Sequence, residues 1–324
     1  MTQTVIALDV GGTGIKCALV GAEGDALHQV LHAERHATGR ERGPEAVIAT
    51  ILDIAEGLAA TARAKGLEPR AAGLVVPGVI DERGGVAVWA ANVGFRDVPL
   101  KALLEERLGL PAALGHDVRA GGLAEARLGA GRGHSYVLVI PIGTGIAAAN
   151  VVNGQVYTGA HGAAGEIGHI VVRPDGPECG CGQRGCLESI ASASAVGRRY
   201  GERAGRPATA EEVARLAAEG EPAAVAVWQE TIDALADGLM TGIALFDPAV
   251  IVLGGGLAEA GEALLAPLRA GVHARVTFHR EPAITRAALG DEAGCLGAAL
   301  LALDSLDSPA SNSADSSDSS GGTR

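Results

Sequence analysis

The feature that most constrains the fold is a repeated pattern of apolar strand, glycine turn and second apolar strand. It occurs at residues 5–20, VIALDVGGTGIKCALV, and again at residues 137–152, VLVIPIGTGIAAANVV. The tetrad G-T-G-I begins at Gly12 in the first copy and at Gly143 in the second. One such turn is equally typical of an ordinary hairpin, since glycine suits tight turns. Two copies, one in each half of the chain, predict two related domains that present phosphate-binding hairpins to a shared cleft.

Apolar strand-like runs alternate with stretches rich in Ala, Leu and Glu, which is typical of an α/β fold. The predicted strands cover residues 4–10, 17–20, 71–78, 136–142, 147–152 and 249–255. The predicted helices cover residues 44–65, 99–108, 118–128, 210–218, 222–245, 258–271 and 292–303. A third glycine cluster, at residues 254–256, lies between a strand and a helix, an arrangement that suits nucleotide binding.

Composition and charge exclude several classes of protein. A net charge of −12 argues against a nucleic-acid partner, although backbone N–H groups of glycine turns still bind phosphates. Aromatic residues make up only 2% of the chain, so the core must be aliphatic. No apolar run is long enough to span a membrane, and no basic leader opens the chain, so we expect a cytoplasmic protein. Residues 304–324, rich in Ser and Asp, predict a disordered acidic tail.

Three of the five cysteines fall within eight positions, shortly after His169: Cys179, Cys181 and Cys186. One imidazole and three thiolates make a complete tetrahedral set for zinc. Free cysteines are otherwise typical of apolar cores, but this segment is polar and rich in glycine. Four protein ligands leave no position for water, so the predicted zinc is structural. The other two cysteines are predicted to be plain core residues: Cys17 and Cys295.

Four motifs in order along the chain resemble one known family. They are D-x-G-G-T at residues 9–13, E-x-G-H at 166–169, C-G-C-G-x-x-G-C-x-E at 179–188 and G-G-G at 254–256. The family is ROK (repressors, open reading frames, kinases), which has a two-domain α/β fold of the actin and hexokinase type, ribonuclease H-like, with a cleft between the domains. We therefore expect a small domain at residues 1–117 plus 292–303, and a larger domain with the zinc loop at residues 118–291.

The resemblance implies an enzyme that transfers phosphate from ATP, with Mg²⁺, to the 6-hydroxyl of a hexose. Glucose is the first expectation, while N-acetylmannosamine, N-acetylglucosamine, mannose, fructose and allose stay open. The resemblance also implies a homo-oligomer, a dimer or a tetramer. Some members are sugar-responsive repressors, but those carry a helix-turn-helix before the D-x-G-G-T motif, which begins here at Asp9. A weakly catalytic sugar sensor is the other alternative.

The resemblance also assigns roles to residues. Asp117 matches the catalytic base, although by its position alone it could equally be a helix N-cap. Matching sugar-binding positions are Gly78, Asn92, Asp117, Glu166, His169 and Glu188. Asp9 would hold Mg²⁺ through water. The predicted nucleotide-binding residues are Asp9, Gly11, Gly12, Thr13, Lys16, Gly143, Thr144, Gly145, Gly254, Gly255 and Gly256.

Two departures from the family pattern affect these expectations. The chain has Gly115, His116 and Asp117 where the family usually has Glu-Asn-Asp, which keeps the base but changes its neighbour. It also has Gly14 where many members have lysine, with Lys16 two positions on. The spelling G-I-K also occurs in relatives that use polyphosphate, but those lack the cysteine motif, so ATP is the favoured donor.

Overall fold

The computed structural model describes residues 3–23 and 26–307 of the 324-residue chain. The strands are β1 (Gln3–Val10), β2 (Gly14–Glu23), β3 (Ala26–Ala37), β4 (Pro69–Val76), β5 (Val79–Asp81), β6 (Val86–Ala90), β7 (Phe95–Val98), β8 (Ala112–His116), β9 (Tyr136–Pro141), β10 (Ala149–Val152), β11 (Gln155–Val156), β12 (Val250–Gly254) and β13 (Ala283–Arg286). The helices are α1 (Pro44–Ala64), α2 (Leu100–Leu108), α3 (Asp117–Arg127), α4 (Leu187–Ala191), α5 (Ala193–Ala204), α6 (Ala210–Ala218), α7 (Pro222–Phe246), α8 (Glu262–His273) and α9 (Ala293–Asp307).

Two five-stranded sheets share one topology. Their strand orders are β3-β2-β1-β4-β8 and β11-β10-β9-β12-β13. In the first sheet, β1 pairs antiparallel with β2 and parallel with β4. In the second, β9 pairs antiparallel with β10 and parallel with β12. The outer strands pair in the same way in both sheets: β3 and β11 are antiparallel to their neighbours, and β8 and β13 are parallel to theirs. The two hairpins predicted from the repeated sequence pattern are therefore confirmed, and the repeat extends to the whole sheet.

The alternation of side chains along β1 shows why the first sheet is buried on both faces. Ile6 and Leu8 pack in one aliphatic cluster with residues of α1, such as Ile51. Val5 and Ala7 point to the opposite face and pack against α9. A strand covered on both faces needs a nearly continuous apolar sequence, which β1 has. Among the described residues, every helix is too short or too polar to cross a membrane.

The second sheet packs on the longest helix, α7. Leu138 and Ile140 of β9 lie in one cluster with Trp228, Leu235 and Ile243 of α7. The core is built mainly of Ile, Leu, Val and Ala side chains, as the low aromatic content predicts. The chain segment between β4 and α2 forms a third sheet, which has three strands in the order β5-β6-β7.

The C-terminal helix is longer than predicted. We expected the helix to end at residue 303 and a disordered tail to begin at residue 304, but α9 continues to Asp307. Arg127 donates hydrogen bonds to both carboxylate oxygens of Asp304, at 2.7 and 2.9 Å, and so holds the last turn against α3. The rest of the predicted tail, residues 308–324, lies outside the described residues.

Other elements were not predicted. The strand β3 has the sequence ALHQVLHAERHA, whose many polar residues suit an edge strand that is half exposed rather than a buried one. The helices α4 and α5 follow directly after the loop that carries the three predicted zinc-binding cysteines, and they were not predicted either. The predicted helix at residues 258–271 begins later, at Glu262, because residues 256–260 form a 3-10 turn.

Candidate active site

A cavity of about 650 Å³ lies where the parallel strands of both sheets end. The strand β4 ends just before Gly78, and β8 ends at the residue before Asp117. Ligands of open α/β sheets bind at such strand ends, because the loops that follow neighbouring parallel strands converge there. The cavity brings together five of the six residues predicted to bind a sugar: Gly78, Asn92, Asp117, Glu166 and Glu188.

A smaller cavity of about 230 Å³ adjoins the first. Four of the predicted nucleotide-binding residues line it: Asp9, Lys16, Gly254 and Gly255. Asp117 lines both cavities, as do Val118, Pro141 and Gly255. The carboxylate of Asp117 therefore stands where the two cavities meet.

Asp117 is the first residue of α3, which follows β8 without a loop. Its Oδ1 atom accepts a hydrogen bond from the backbone N–H of Val118 at 2.7 Å. The positive end of the helix dipole also favours a carboxylate at this position. The side chain is 33% exposed, so the carboxylate is fixed in orientation and still accessible from the cavities.

Asp9 lies within β1 and is mostly buried. Burial raises the pKa of its carboxyl to about 6, and the nearby carboxylates of Asp117 and Asp291 act in the same direction. Lys16, with Nζ 3.9 Å from Asp9 Oδ2, opposes this rise in pKa. A bound cation would relieve the unfavourable charge on Asp9, which suits the role of a Mg²⁺-holding residue.

Lys16 is held by a residue that the sequence did not indicate. Its Nζ atom donates to the backbone oxygen of Asp291 at 3.0 Å and also forms an ion pair with the Asp291 carboxylate. Arg35 approaches the other carboxylate oxygen of Asp291 at 2.8 Å. These hydrogen bonds lower the pKa of Asp291, Lys16 first among them. Lys16 thus links the predicted phosphate turn to the segment that leads into α9.

The turn between β1 and β2 is tied down on both sides. Gly11 donates its backbone N–H to the oxygen of Gly14 at 2.8 Å, and Thr38 donates its hydroxyl to the oxygen of Gly11 at 2.7 Å. A Cβ atom added at Gly12 would lie 3.4 Å from the Cβ of Asn92. The turn therefore lies against Asn92, which lines the cavity of about 650 Å³ (the sugar-side cavity).

The second turn, between β9 and β10, connects to a predicted sugar ligand. Gly143 donates its N–H to the oxygen of Gly145 at 2.9 Å. Ile146, the next residue, donates its N–H to Oε2 of Glu188 at 2.9 Å. The carboxylate of Glu188 is thereby oriented by the backbone of the hairpin.

Two glycines close the walls of these cavities. Gly78 has φ +112°, and a Cβ atom there would lie 2.3 Å from the backbone oxygen of Trp89. Gly255 has φ +76°, and a Cβ atom there would lie 2.5 Å from the backbone oxygen of Ile142. Any other residue at either position would clash with backbone and take a strained conformation.

The predicted zinc ligands come together. His169 Nδ1 and Cys179 Sγ are 3.5 Å apart, and Cys181 Sγ and Cys186 Sγ are 3.7 Å apart. All four ligand atoms lie within 4.8 Å of one another. Zinc bonds of about 2.3 Å to sulfur and about 2.0 Å to nitrogen place neighbouring tetrahedral ligands roughly 3.5–3.8 Å apart. The four residues therefore fit a closed tetrahedral metal site.

The cluster of four predicted zinc ligands (the metal-type cluster) borders the sugar-side cavity. Cys186 is the residue before α4, and Glu188 lies in the first turn of that helix. The other ring nitrogen of His169, Nε2, lies 3.9 Å from Oε2 of Glu166. His169 itself is not among the residues that line the cavity. Its place is between the metal-type cluster and a carboxylate that does line it.

Sequence reasoning missed a buried ion pair beside the predicted base. Arg119 is only 4% exposed, and its Nε atom donates to Glu82 Oε1 at 2.9 Å. Its Nη1 atom donates to the backbone oxygen of Gly162 at 2.8 Å, in the loop that also brings His161 to the cavity. Arg119 therefore joins the turn after β5 to a loop of the second sheet. Its place two residues after the predicted base was the available signal.

His116, the departure from the family pattern, lies next to the predicted base with its side chain 13% exposed. Its Nδ1 atom is 3.3 Å from Asp117 Oδ1, without the alignment of a hydrogen bond. Burial lowers the pKa of this imidazole, against the opposite effect of Asp117. The lowered pKa favours the neutral form of the imidazole beside Asp117.

The remaining predicted residues occupy adjacent positions. Thr144 lines a further cavity, of about 720 Å³, together with residues of α5. Gly143 and Gly145 line the sugar-side cavity rather than the smaller one. Four predicted nucleotide residues stand in the flanking turns without lining these three cavities: Gly11, Gly12, Thr13 and Gly256.

The chain is similar to known proteins over nearly its whole length. A sequence model of the ROK family matches residues 5–305. A glucokinase from Thermotoga maritima is 34% identical over 312 residues, which cover 91% of this chain and 96% of the relative. The crystal structure of a ROK hexokinase from Thermus thermophilus superposes with TM-score 0.81 at 36% identity, covering 94% and 99% of the two chains. A ROK family glucokinase from Streptomyces griseus, solved with glucose and AMPPNP, has TM-score 0.75 and 31% identity, covering 93% and 99%.

Proposed function

Because the chain belongs to the ROK family, we propose that it is a sugar kinase that transfers the γ-phosphate of ATP to the 6-hydroxyl of a hexose, glucose first of all. The matches confirm both the family and the actin-like two-domain fold predicted from the motifs. The choice of glucose is supported by the relative from Thermotoga maritima, a glucokinase, and by the Streptomyces griseus structure with glucose and AMPPNP.

The observation that carries the proposal is the position of Asp117. A phosphotransferase needs a carboxylate within reach of both the attacking hydroxyl and the transferring phosphoryl group. Asp117 lines the cavity of about 650 Å³ that holds the predicted sugar residues and also the cavity of about 230 Å³ that holds Asp9 and Lys16. Because its carboxylate borders both cavities, Asp117 can reach the sugar hydroxyl and the phosphoryl group from one position.

The residues then act in the following way. Glu166 and Glu188 accept hydrogen bonds from sugar hydroxyls and orient the 6-hydroxyl towards Asp117. Asp117 accepts the hydroxyl proton as the sugar oxygen forms a bond to the γ-phosphorus. The bond from that phosphorus to the β–γ bridging oxygen breaks, and ADP leaves. Backbone N–H groups of the two glycine turns, together with Lys16, complement the charge of the phosphates.

Asp9 is the residue proposed to hold Mg²⁺. The support is its position in the smaller cavity and the raised pKa of its buried carboxyl. When bound, Mg²⁺ neutralises charge on the β- and γ-phosphates. The donor set and spacing of His169, Cys179, Cys181 and Cys186 likewise support a structural zinc. Its proposed role is to hold Glu166 and Glu188 beside the sugar.

Two further expectations stay predictions for this chain. The first is a homo-oligomer, a dimer or a tetramer, and the second is a cytoplasmic location. Size-exclusion chromatography with light scattering measures the first, and fractionation of the native host measures the second.

The proposed function is tested by initial rates of sugar-phosphate formation over a panel of sugars crossed with ATP and polyphosphate as donors. We expect sugar phosphate to form from ATP, with the highest kcat/KM for glucose. Rates that are highest with N-acetylmannosamine or another hexose would still support a sugar kinase, but with that sugar as its substrate in place of glucose. Sugar binding without sugar-dependent phosphate transfer would instead establish the sensor alternative and contradict the proposal.

A further inference from the structure

A second group of metal-ligating side chains lies on the outer strands of the first sheet. Cys17 on β2 and Glu34 and His36 on β3 bring a thiol, a carboxylate and an imidazole within 4.8 Å of one another. None of the three lines the two cavities that meet at Asp117. The proposed phosphotransfer reaction gives them no role.

The strand register brings these side chains together. β2 and β3 are antiparallel, with Cys17 opposite Glu34, Ile15 opposite His36 and Leu19 opposite His32. Directly opposed residues of an antiparallel pair share a face of the sheet, and alternate residues of one strand do the same. His32, Glu34 and His36 therefore project on the same side of the sheet as Cys17.

Hydrogen bonds already orient the carboxylate at the centre of the group. One oxygen of Glu34 is 2.6 Å from Nε2 of His32, and the other is 2.9 Å from Nε2 of His36. The side chains of Glu34 and His36 are 38% and 37% exposed, whereas Cys17 is buried. The group thus combines a thiol fixed in the core with two ligands that an ion reaches from solvent.

The chemistry of the donors selects a class of metal. Thiolate and imidazole ligands favour borderline and soft transition metals such as Zn²⁺ over Mg²⁺ or Ca²⁺. Ligand atoms of a tetrahedral zinc ion lie roughly 3–4 Å apart, so shifts of about 1 Å in the partly exposed Glu34 and His36 side chains suffice. Burial and the charge of Glu34 raise the pKa of the Cys17 thiol to about 11, and a bound cation would favour its thiolate.

We propose that Cys17, Glu34 and His36 form an additional Zn²⁺ site that bridges β2 and the edge strand β3. Water takes the fourth position, and His32 orients Glu34 through its hydrogen bond. The open fourth position and partial exposure make this zinc weaker and more exchangeable than a metal held by four protein ligands. Zinc bound here also stabilises the folded chain, because the unfolded chain lacks the assembled site.

The direct test is metal titration of the full chain in its purified form. Equilibrium dialysis against a fixed concentration of free Zn²⁺, followed by zinc analysis, should find one more ion per chain in the wild type than in His36→Gln. In the chain whose four-ligand cluster is already filled with Zn²⁺, Co²⁺ should add a thiolate-to-metal absorption band that further Zn²⁺ abolishes and that is missing from the same titration of Cys17→Ser. Both variants should lower Co²⁺ affinity at this site by more than about 100-fold.

A matched control comes from an exposed histidine with the same kind of partner. His273 Nδ1 is 2.9 Å from Glu281 Oε2, but the group of clustered metal ligands does not include this pair. His273→Gln should bind as much zinc as the wild type. If Cys17→Ser fails to fold, His36→Gln decides, because its side chain is partly exposed.

Equal zinc contents in the wild type and His36→Gln would overturn the proposal, as would equal loss in His273→Gln. The orienting role of His32 has a separate readout. His32→Gln should weaken Co²⁺ binding by about 10- to 100-fold without abolishing the absorption band. Unchanged affinity would contradict that role. The zinc-dependent rise in melting temperature should follow the same order among the variants.

Discussion

The two glycine hairpins have the same backbone plan and different surroundings. The hairpin of β1 and β2 carries charged side chains, Asp9 and Lys16, and Lys16 pairs with both Asp9 and Asp291. The hairpin of β9 and β10 has no charged residue in its turn, and its Ile146 N–H donates to Glu188. One sheet topology therefore carries two different sets of polar contacts. Under the proposed function, the first hairpin supplies charge to the phosphates, and the second orients a carboxylate towards the sugar.

Asp117 stands between the two hairpins, so its removal should have the largest effect. Asp117→Ala and Asp117→Asn should lower kcat by at least about 10³-fold, because the hydroxyl loses its proton acceptor. Sugar binding should remain measurable by calorimetry, since Glu166 and Glu188 are intact. A kcat within tenfold of the wild type would show that another group is the base.

Loss of a proposed zinc ligand should act on the second hairpin first, through Glu188. Cys181→Ser should remove one zinc per chain and lower the melting temperature by about 10 °C or more. Elemental analysis and calorimetry measure both. Cys295→Ser is the matched control, because it removes a buried thiol from α9, which packs on the first sheet, without touching the cluster. A wild-type chain that is fully folded and free of metal would contradict the structural role.

The raised pKa of Asp9 makes the first hairpin sensitive to pH. Below about pH 6 its carboxyl becomes protonated and neutral, so the apparent affinity for Mg²⁺ should fall about tenfold per pH unit. Titrating Mg²⁺ at saturating ATP and sugar between pH 5 and pH 8 measures this change in apparent affinity. Asp291→Asn removes a negative charge near Asp9 and should move the break to lower pH. A break that does not move would show that Asp291 has no influence on Asp9.

The smallest effect should come from the buried ion pair that joins the two halves. Arg119→Lys keeps the charge but loses the forked contacts to Glu82 and the Gly162 carbonyl. The KM for sugar should rise about tenfold, with a smaller change in kcat, because the pair positions the loop that carries His161. Glu82→Gln should give the same pattern. An equal fall in kcat with unchanged KM would instead indicate a direct role in the reaction.

The sequence indicated the parts of the fold and site that depend on short-range patterns. Apolar runs predicted β1, stretches rich in Ala, Leu and Glu predicted α1 and α7, and the motifs placed Glu188 beside the metal-type cluster. The resemblance assigned Asp117, which lines one cavity together with Glu188. Long-range pairing was beyond the sequence. Nothing near residues 26–37 shows that a polar strand pairs with β2, because its partner's register decides that. The ion pair of Arg119 with Glu82 spans 37 positions and was missed for the same reason.

The division of labour between the hairpins is tested most directly by measuring both ligands on two variants. Glu188→Gln should weaken sugar binding by roughly 10- to 100-fold, because it loses a charged acceptor, and leave Mg·ATP binding unchanged. Asp9→Asn should weaken Mg·ATP binding and leave sugar binding unchanged. Calorimetry of each variant with each ligand gives the four values. Equal loss of both ligands in both variants, or the reverse pattern, would contradict the account.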